Sequence, residues 1–371
     1  MNIRKFLVLG LVGVSALLAA AAVQAAVTTV GVGESIQAAV DAASPGDVIK
    51  VLPGDYIEPG GSIAAVRITK PLKLIAKSAL PDGPKVRILP NPDFPGQTNG
   101  ILVEPANPGD PDVDGVLIRG FTIEGFENNG IWLRHTKNFK IKNNESIDNL
   151  ENGIWPTLSA NGLVKKNVSY GSQDSALWIE ASENVRVIKN DLHHAPTGLE
   201  VTISQNLTIK GNDVHHNTVG VGLYHSAAAG LPLNDLKGDW RVIGNHIHDN
   251  NEPNSAPGGM AADLVPGIGI LLIGPDDNLI QKNVIENNDF IGLALIDWCL
   301  VQDCIGNPPE DPDSIPERNQ ILGNTITGNG SDPVPSPFAG LAADVTSLVP
   351  ASNCFSGNTI GTSIPGTLPG C

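Results

Sequence analysis

A period of 22 or 23 residues constrains this chain more than any other feature. Gly130-Ile-Trp-Leu, Gly153-Ile-Trp-Pro, Ala176-Leu-Trp-Ile, Gly198-Leu-Glu-Val and Gly220-Val-Gly-Leu align at steps of 23, 23, 22 and 22. Each of the first four is followed 14 residues later by an asparagine: Asn144, Asn167, Asn190 and Asn212. Gly269 and Asn283 keep that separation. After Gly220 and Gly292 the asparagine comes later, at Asn245 and Asn324, so those coils carry insertions, and Asn358 marks a last, partial coil. Within a coil, stretches such as Val185-Arg-Val187 and Leu207-Thr-Ile209 alternate apolar and polar residues, the period of a half-buried strand. A unit this short cannot bury a face alone, whereas stacked units share one continuous core. The expected result is a solenoid of parallel sheets with rungs about 4.8 Å apart, in which equivalent positions lie above one another. The asparagine column is then structural: asparagine tolerates left-handed backbone at a tight turn, and stacked amides hydrogen-bond into a ladder.

The ends fit the same plan. Residues 1–25 read as a secretory signal: Arg4 and Lys5, an apolar run from Phe6 to Val23, and a small-residue exit at Ala25. That implies a secreted or periplasmic location, and no later stretch is long and apolar enough to span a membrane. Residues 26–371 then form one elongated domain. Ser35 is placed to cap a short helix carrying Ile36, Ala39, Val40 and Ala43 on one face, which would cover the open end of the solenoid. The abundance of glycine (41) and proline (29) against 2 methionines agrees with a turn-rich β protein. A net charge of −16 excludes nucleic-acid binding through bulk electrostatics. Four cysteines allow three pairings. The local ones, Cys299 with Cys304 and Cys354 with Cys371, would tie down a long loop and staple the C-terminus, and no Cys-x-x-Cys favours a thiolate metal site.

The segment from Ser35-Ile-Gln-Ala-Ala-Val through Pro53-Gly-Asp-Tyr56 resembles the opening of pectate-lyase-like right-handed β-helix proteins. The repeats are similar to the carbohydrate-binding and sugar-hydrolase type of β-helix repeat. The resemblance implies an all-β, single-stranded right-handed parallel β-helix, and it spans nearly the whole mature chain. That family includes lyases, epimerases, hydrolases and proteins without known activity. This sequence has no Gly-His-Gly segment like that of polygalacturonases and no Arg-x-Pro-x-x-Arg like that of pectate lyases. Its Asp191-Leu-His193 and Asp213-Val-His215 share only Asp-x-His with the Asp-Pro-His segment of alginate C5-epimerases.

Stacking turns outward positions into columns. Trp132, Trp155, Trp178, Glu200 and Gly222 form one; Arg134, Thr157, Glu180, Thr202 and Tyr224 form the next. The tryptophans either stack on sugar rings or lie under a loop, and Glu180 and Glu200 are candidate acid/base groups. A second constellation puts Asp191/His193, Asp213/His215 and His246/His248 on one outer face, extended by Tyr170 and Glu286. It could ligate zinc or copper. It could instead hold an aspartate-oriented base, His193 or His215, with Tyr170 or Tyr224 as proton donor, or be a polar ladder without a ligand. A basic stripe, Lys140, Lys142, Lys165, Arg186 and Lys210, would suit a polyanionic chain or merely solubilise the face. Insertions at 226–238, 252–266 and 301–318 are long enough to wall a groove, and Asp303, Glu310, Asp311 and Asp313 in the last could hold calcium. The leading expectation is an exported protein that binds, and cleaves or epimerises, an acidic polysaccharide. In that version Arg134 or a stripe lysine neutralises the uronate while His193 or His215 takes the C5 proton. The alternatives are a non-catalytic metal-binding protein, similar in repeat style to the copper-accessory β-helix protein of nitrous oxide reductase maturation, and a scaffold.

Overall fold

A computed structural model describes residues 24–60, 62–77, 83–225, 238–300, 315–333, 335–349 and 352–371. Residues 1–23 of the proposed signal segment, nearly all of the 226–238 insertion, most of the 301–318 insertion, Cys304 and the four acidic residues proposed for calcium lie outside those residues.

The chain winds as a right-handed parallel β-helix. Every coil contributes one strand to each of three sheets, of 12, 11 and 11 strands among the described residues. One coil shows the plan: Lys140–Lys142 in sheet A, Glu145–Ile147 in sheet B, Ile154–Thr157 in sheet C, then Leu163–Lys165 back in sheet A one rung on. All strand pairs within these sheets are parallel, and the registers keep equivalent positions superposed, as in Lys142 with Lys165 and His193 with His215. Inward side chains such as Ile141, Val164, Val187, Ile209 and Val242 fill the bore. The helix Ile36–Ala42 is capped by Ser35, whose hydroxyl accepts from Ala38 N at 2.9 Å. A second cap was not foreseen: the buried Glu58 carboxylate accepts from the Ile36 and Gln37 amides and the Ser35 hydroxyl, placing negative charge at the positive end of the helix.

The asparagine column is a continuous ladder. Asn212 Oδ1 accepts from the main-chain and side-chain nitrogens of Asn190, both at 2.9 Å. Asn212 Nδ2 donates to Val187 O at 3.1 Å and to Asn245 Oδ1 at 2.9 Å. The same pattern runs from Asn144 to Asn358. The left-handed conformation falls one residue earlier than expected, at Asn143, Lys166, Lys189 and Gly211. The ladder asparagine is thus selected for its amide rather than for its backbone. A second ladder, Asn217, Asn250, Asn288, Asn329 and Asp344, holds the turn between sheets B and C. Where a glycine opens a sheet-C strand it has a steric cause, as at Gly153, where a Cβ would collide with Ser169 Oγ from sheet B.

Cys354 and Cys371 are joined, as expected; the other expected bridge involves Cys304. Asn212→Ala removes four buried hydrogen bonds and strands their partners, so it should cost about 3–5 kcal/mol. Asn184→Gly, at an exposed turn residue with φ of 56°, should cost no more than about 1 kcal/mol. Denaturant unfolding checks both, and equal losses would refute the ladder's role.

Candidate functional site

The three sheets divide the candidate residues among three faces. Sheet B carries Asp191, Asp213 and His246 in one column and His193, His215 and His248 in the next, with Tyr170 and Glu286 at the ends of the second. Sheet A carries the basic residues, in two columns rather than one: Lys142, Lys165 and Lys210 align with Ile188 between them, while Lys140 and Arg186 align with Leu163 between them. Arg134 and Tyr224 stand on sheet C. The expected pairing of His193 or His215 with Arg134 or a stripe lysine is therefore overturned, as is Tyr224 as proton donor to those histidines. A solenoid sends each of its three strands outward in a different direction, so these groups never face one substrate. Only Tyr170 joins the histidines, stacked on His193 at 4.7 Å.

On sheet C the tryptophan column is a stack. Trp132, Trp155 and Trp178 lie 4.9 and 5.0 Å apart with interplanar angles of 3° and 5°, and the Arg134 guanidinium sits over Trp132. Both faces of Trp155 are thus taken by its neighbours, which closes it to sugar stacking. Trp155 Nε1 donates to Glu180 Oε2 at 3.2 Å, and Thr157 donates to the same oxygen at 3.0 Å. Glu180 is fully buried, not solvated as an outward position suggested, and its other oxygen has no partner. Burial raises its pKa to about 7, with Asp174 adding to the shift.

Beyond Trp178 the column opens into a cleft of about 590 Å³. Trp178, Thr197, Glu200 and Tyr224 form its floor, Glu151 and Asp174 one side, and Pro257–Leu264 with Trp298 the other. The 252–266 insertion does wall a groove. Gly222 makes the shape: a Cβ there would strike the Tyr224 ring, which folds back beside Glu200. Ser175 donates to Glu200 Oε2 at 2.6 Å. Burial first, and then the neighbouring carboxylates, push Glu200 far above the carboxylate range; Asp174 is raised less, by burial and by Glu151. The two carboxyl groups share one low-dielectric space, so their protons leave in two steps that belong to the pair. The buried Thr197 and Tyr224 hydroxyls lie against each other in the floor of the cleft. No lysine, arginine or histidine lines the cleft among the described residues. Asp174 and Trp298 were missed in the sequence because neither lies on a strand column; Asp174 belongs to the turn between sheets B and C.

The sequence profile for a right handed beta helix region matches residues 94–236. No curated protein sequence matches the chain. The A-module of mannuronan C-5 epimerase AlgE6 from Azotobacter vinelandii superposes with a TM-score of 0.63 at 17% identity, covering 88% of this chain and 94% of that one. DFA-IIIase from Arthrobacter chlorophenolicus, without its lid and in complex with GF2, gives 0.58 at 14% identity, covering 91% and 88%. A double mutant of the periplasmic alginate epimerase AlgG gives 0.52 at 16%, covering 89% and 83%. At these identities the likeness establishes the fold.

The buried Glu180 yields a stability prediction. An acid whose folded pKa lies above its unfolded value destabilises the fold once ionised. The loss begins as pH rises past the unfolded value near 4.5 and is complete above about 7. That gap corresponds to on the order of 3 kcal/mol. Glu180→Gln, which keeps an acceptor for Trp155 and Thr157, should flatten the fall in thermal midpoint between pH 5 and 8 and raise the midpoint at pH 8 by several degrees. Circular-dichroism melts decide it; parallel curves for the two proteins would disprove the assignment.

Proposed function

We propose that this protein is an exported polysaccharide-processing enzyme whose chemistry is carried by Glu200 and Asp174 in the sheet-C cleft. The observation that carries the reading is a buried carboxyl group, Glu200, beside a second carboxyl, Asp174, in an aromatic-walled cleft. Two carboxyl groups whose surroundings push their proton affinities apart are an acid and a base. Glu200, the more strongly raised, protonates the glycosidic oxygen, and Asp174 activates water or attacks the anomeric carbon. The Thr197 and Tyr224 hydroxyls in the floor of the cleft suit a ligand rich in hydroxyl groups, since a few placed polar groups in an otherwise apolar cleft orient such a ligand. Alginate epimerases, and a DFA-IIIase in complex with GF2, among the proteins of similar fold support a carbohydrate substrate.

The lining favours a neutral glycan over the uronan expected from the sequence. The cleft offers a uronate no cation to pair with among the described residues, and the nearest arginine on this face, Arg134, stands three rungs from Glu200, about 14 Å along the axis. Export is supported by the N-terminal pattern and by the Cys354–Cys371 disulfide, which persists in oxidising compartments. No helix among the described residues is long and apolar enough to cross a membrane.

Incubation of the mature protein with neutral glycans and uronans, followed by proton NMR, should reveal new reducing ends from a neutral glycan. Turnover should be bell-shaped in pH, with both limbs above the ordinary carboxylate range. Glu200→Gln and Asp174→Asn should each lower turnover about 10²–10⁴-fold while leaving the circular-dichroism spectrum intact. Unsaturated or epimerised uronan whose formation survives Glu200→Gln would sink this reading, as would inertness toward every glycan.

A further inference from the structure

The histidine face lies on sheet B, apart from the cleft, and one of its rungs differs from the others. At Asp191/His193 and Asp213/His215 the first column supplies a carboxylate. At the next rung it supplies an imidazole, so His246 and His248 project side by side from one strand with Ile247 turned inward. Both converge on the carboxylate one rung back. Asp213 Oδ1 lies 3.0 Å from His248 Nε2 and 3.5 Å from His246 Nδ1. Donor atoms about 3.3 Å apart are what a tetrahedral ion with bonds of about 2.0–2.1 Å requires.

The nitrogens turned away from this point are also engaged. His246 Nε2 meets Glu286 Oε1 at 2.9 Å, and His248 Nδ1 meets Asp249 Oδ2 at 2.6 Å. A carboxylate on the far nitrogen fixes the tautomer that aims the near lone pair at a metal, and it raises ligand basicity. Each imidazole has its own such carboxylate. At the preceding rung this order breaks down: His215 Nε2 meets Asp191, but its Nδ1 contacts His216 Nδ1 at 2.8 Å, and His193 Nδ1 contacts His194 Nδ1 at 2.6 Å. Those ring nitrogens are engaged with each other.

We propose that Asp213, His246 and His248 bind one divalent late transition-metal ion, zinc or copper, with Glu286 and Asp249 as positioning residues. Two imidazoles and one carboxylate favour such ions over calcium or magnesium, which prefer all-oxygen shells. Asp213 and His246 are roughly half exposed, so the remaining coordination position faces solvent and is open to water or an exchangeable ligand.

The test uses untagged mature protein, stripped with chelator and titrated calorimetrically with zinc sulfate and, separately, copper chloride. One equivalent should bind, and excess calcium should not displace it. His246→Ala with His248→Ala should abolish uptake, Glu286→Gln should weaken it about 10–100-fold, and His193→Ala with His215→Ala should leave it unchanged. Long-range imidazole NMR of the wild-type protein locates the ion without any substitution, with zinc-induced shifts centred on His246 and His248. No uptake by the wild type, uptake retained by the His246/His248 variant, or shifts centred on His193 and His215 would each overturn the proposal. Zinc binding retained by Glu200→Gln would separate this site from the cleft.

Discussion

The structure depends on one interaction: an asparagine side chain that hydrogen-bonds to the coils on either side of its own. Parallel strands a rung apart are held by their main chains, but those bonds alone do not specify where a turn must fall. A buried amide that accepts from one coil and donates to the next leaves a donor or acceptor stranded if the register slips. Three such runs, two at turns between sheets and a shorter one through Asn278, Asn319 and Asn353, lock successive coils in phase. Insertions near residues 226–238 and 252–266 leave the phase intact, because the ladder resumes at Asn245 and Asn283.

Fixed phase turns sequence repetition into surface columns, and columns concentrate chemistry that would be dilute on an ordinary fold. Like residues stack: tryptophan on tryptophan in sheet C, imidazole on imidazole in sheet B. Stacked aromatic pairs add about 0.5–1.5 kcal/mol each beyond their burial, so the tryptophan column stabilises the fold with the same ring faces that would otherwise be offered to a ligand. Function on sheet C begins where that ladder stops. Trp178 is its last ring, Glu200 follows in the same column, and Gly222 leaves the space that Tyr224 and the cleft occupy.

Each face has its own electrostatic character. Sheet C is acidic and partly enclosed, so burial raises the proton affinity of its carboxyl groups. Sheet B is open and mixes imidazoles with carboxylates. Burial lowers His193 to about 4, whereas His215 is raised by its bond to Asp191. Sheet A is basic and exposed. Residues adjacent in sequence, such as Lys189 and Asp191, belong to different faces because the turn between sheets A and B changes the outward direction.

Period, strand alternation and asparagine column together determined from sequence alone that this chain is a solenoid of stacked parallel sheets, because a 22-residue unit cannot bury its apolar positions without its neighbours; the resemblance of its opening and repeats supplied the β-helix. They also determined the columns of the Asp/His face and its ends at Tyr170 and Glu286, since one strand repeat carries alternation from coil to coil; the basic stripe, read as one column, divides into two. Which columns face one another was not determined, nor what covers them. Both depend on the turn angles between sheets and on how non-repeating segments fold back. Asp174 and the 252–266 insertion carry no periodic signal, yet they convert Glu200 from an exposed carboxylate into a buried acid. Only the tertiary structure decided that, because a proton affinity is set by the water excluded and the charges brought near.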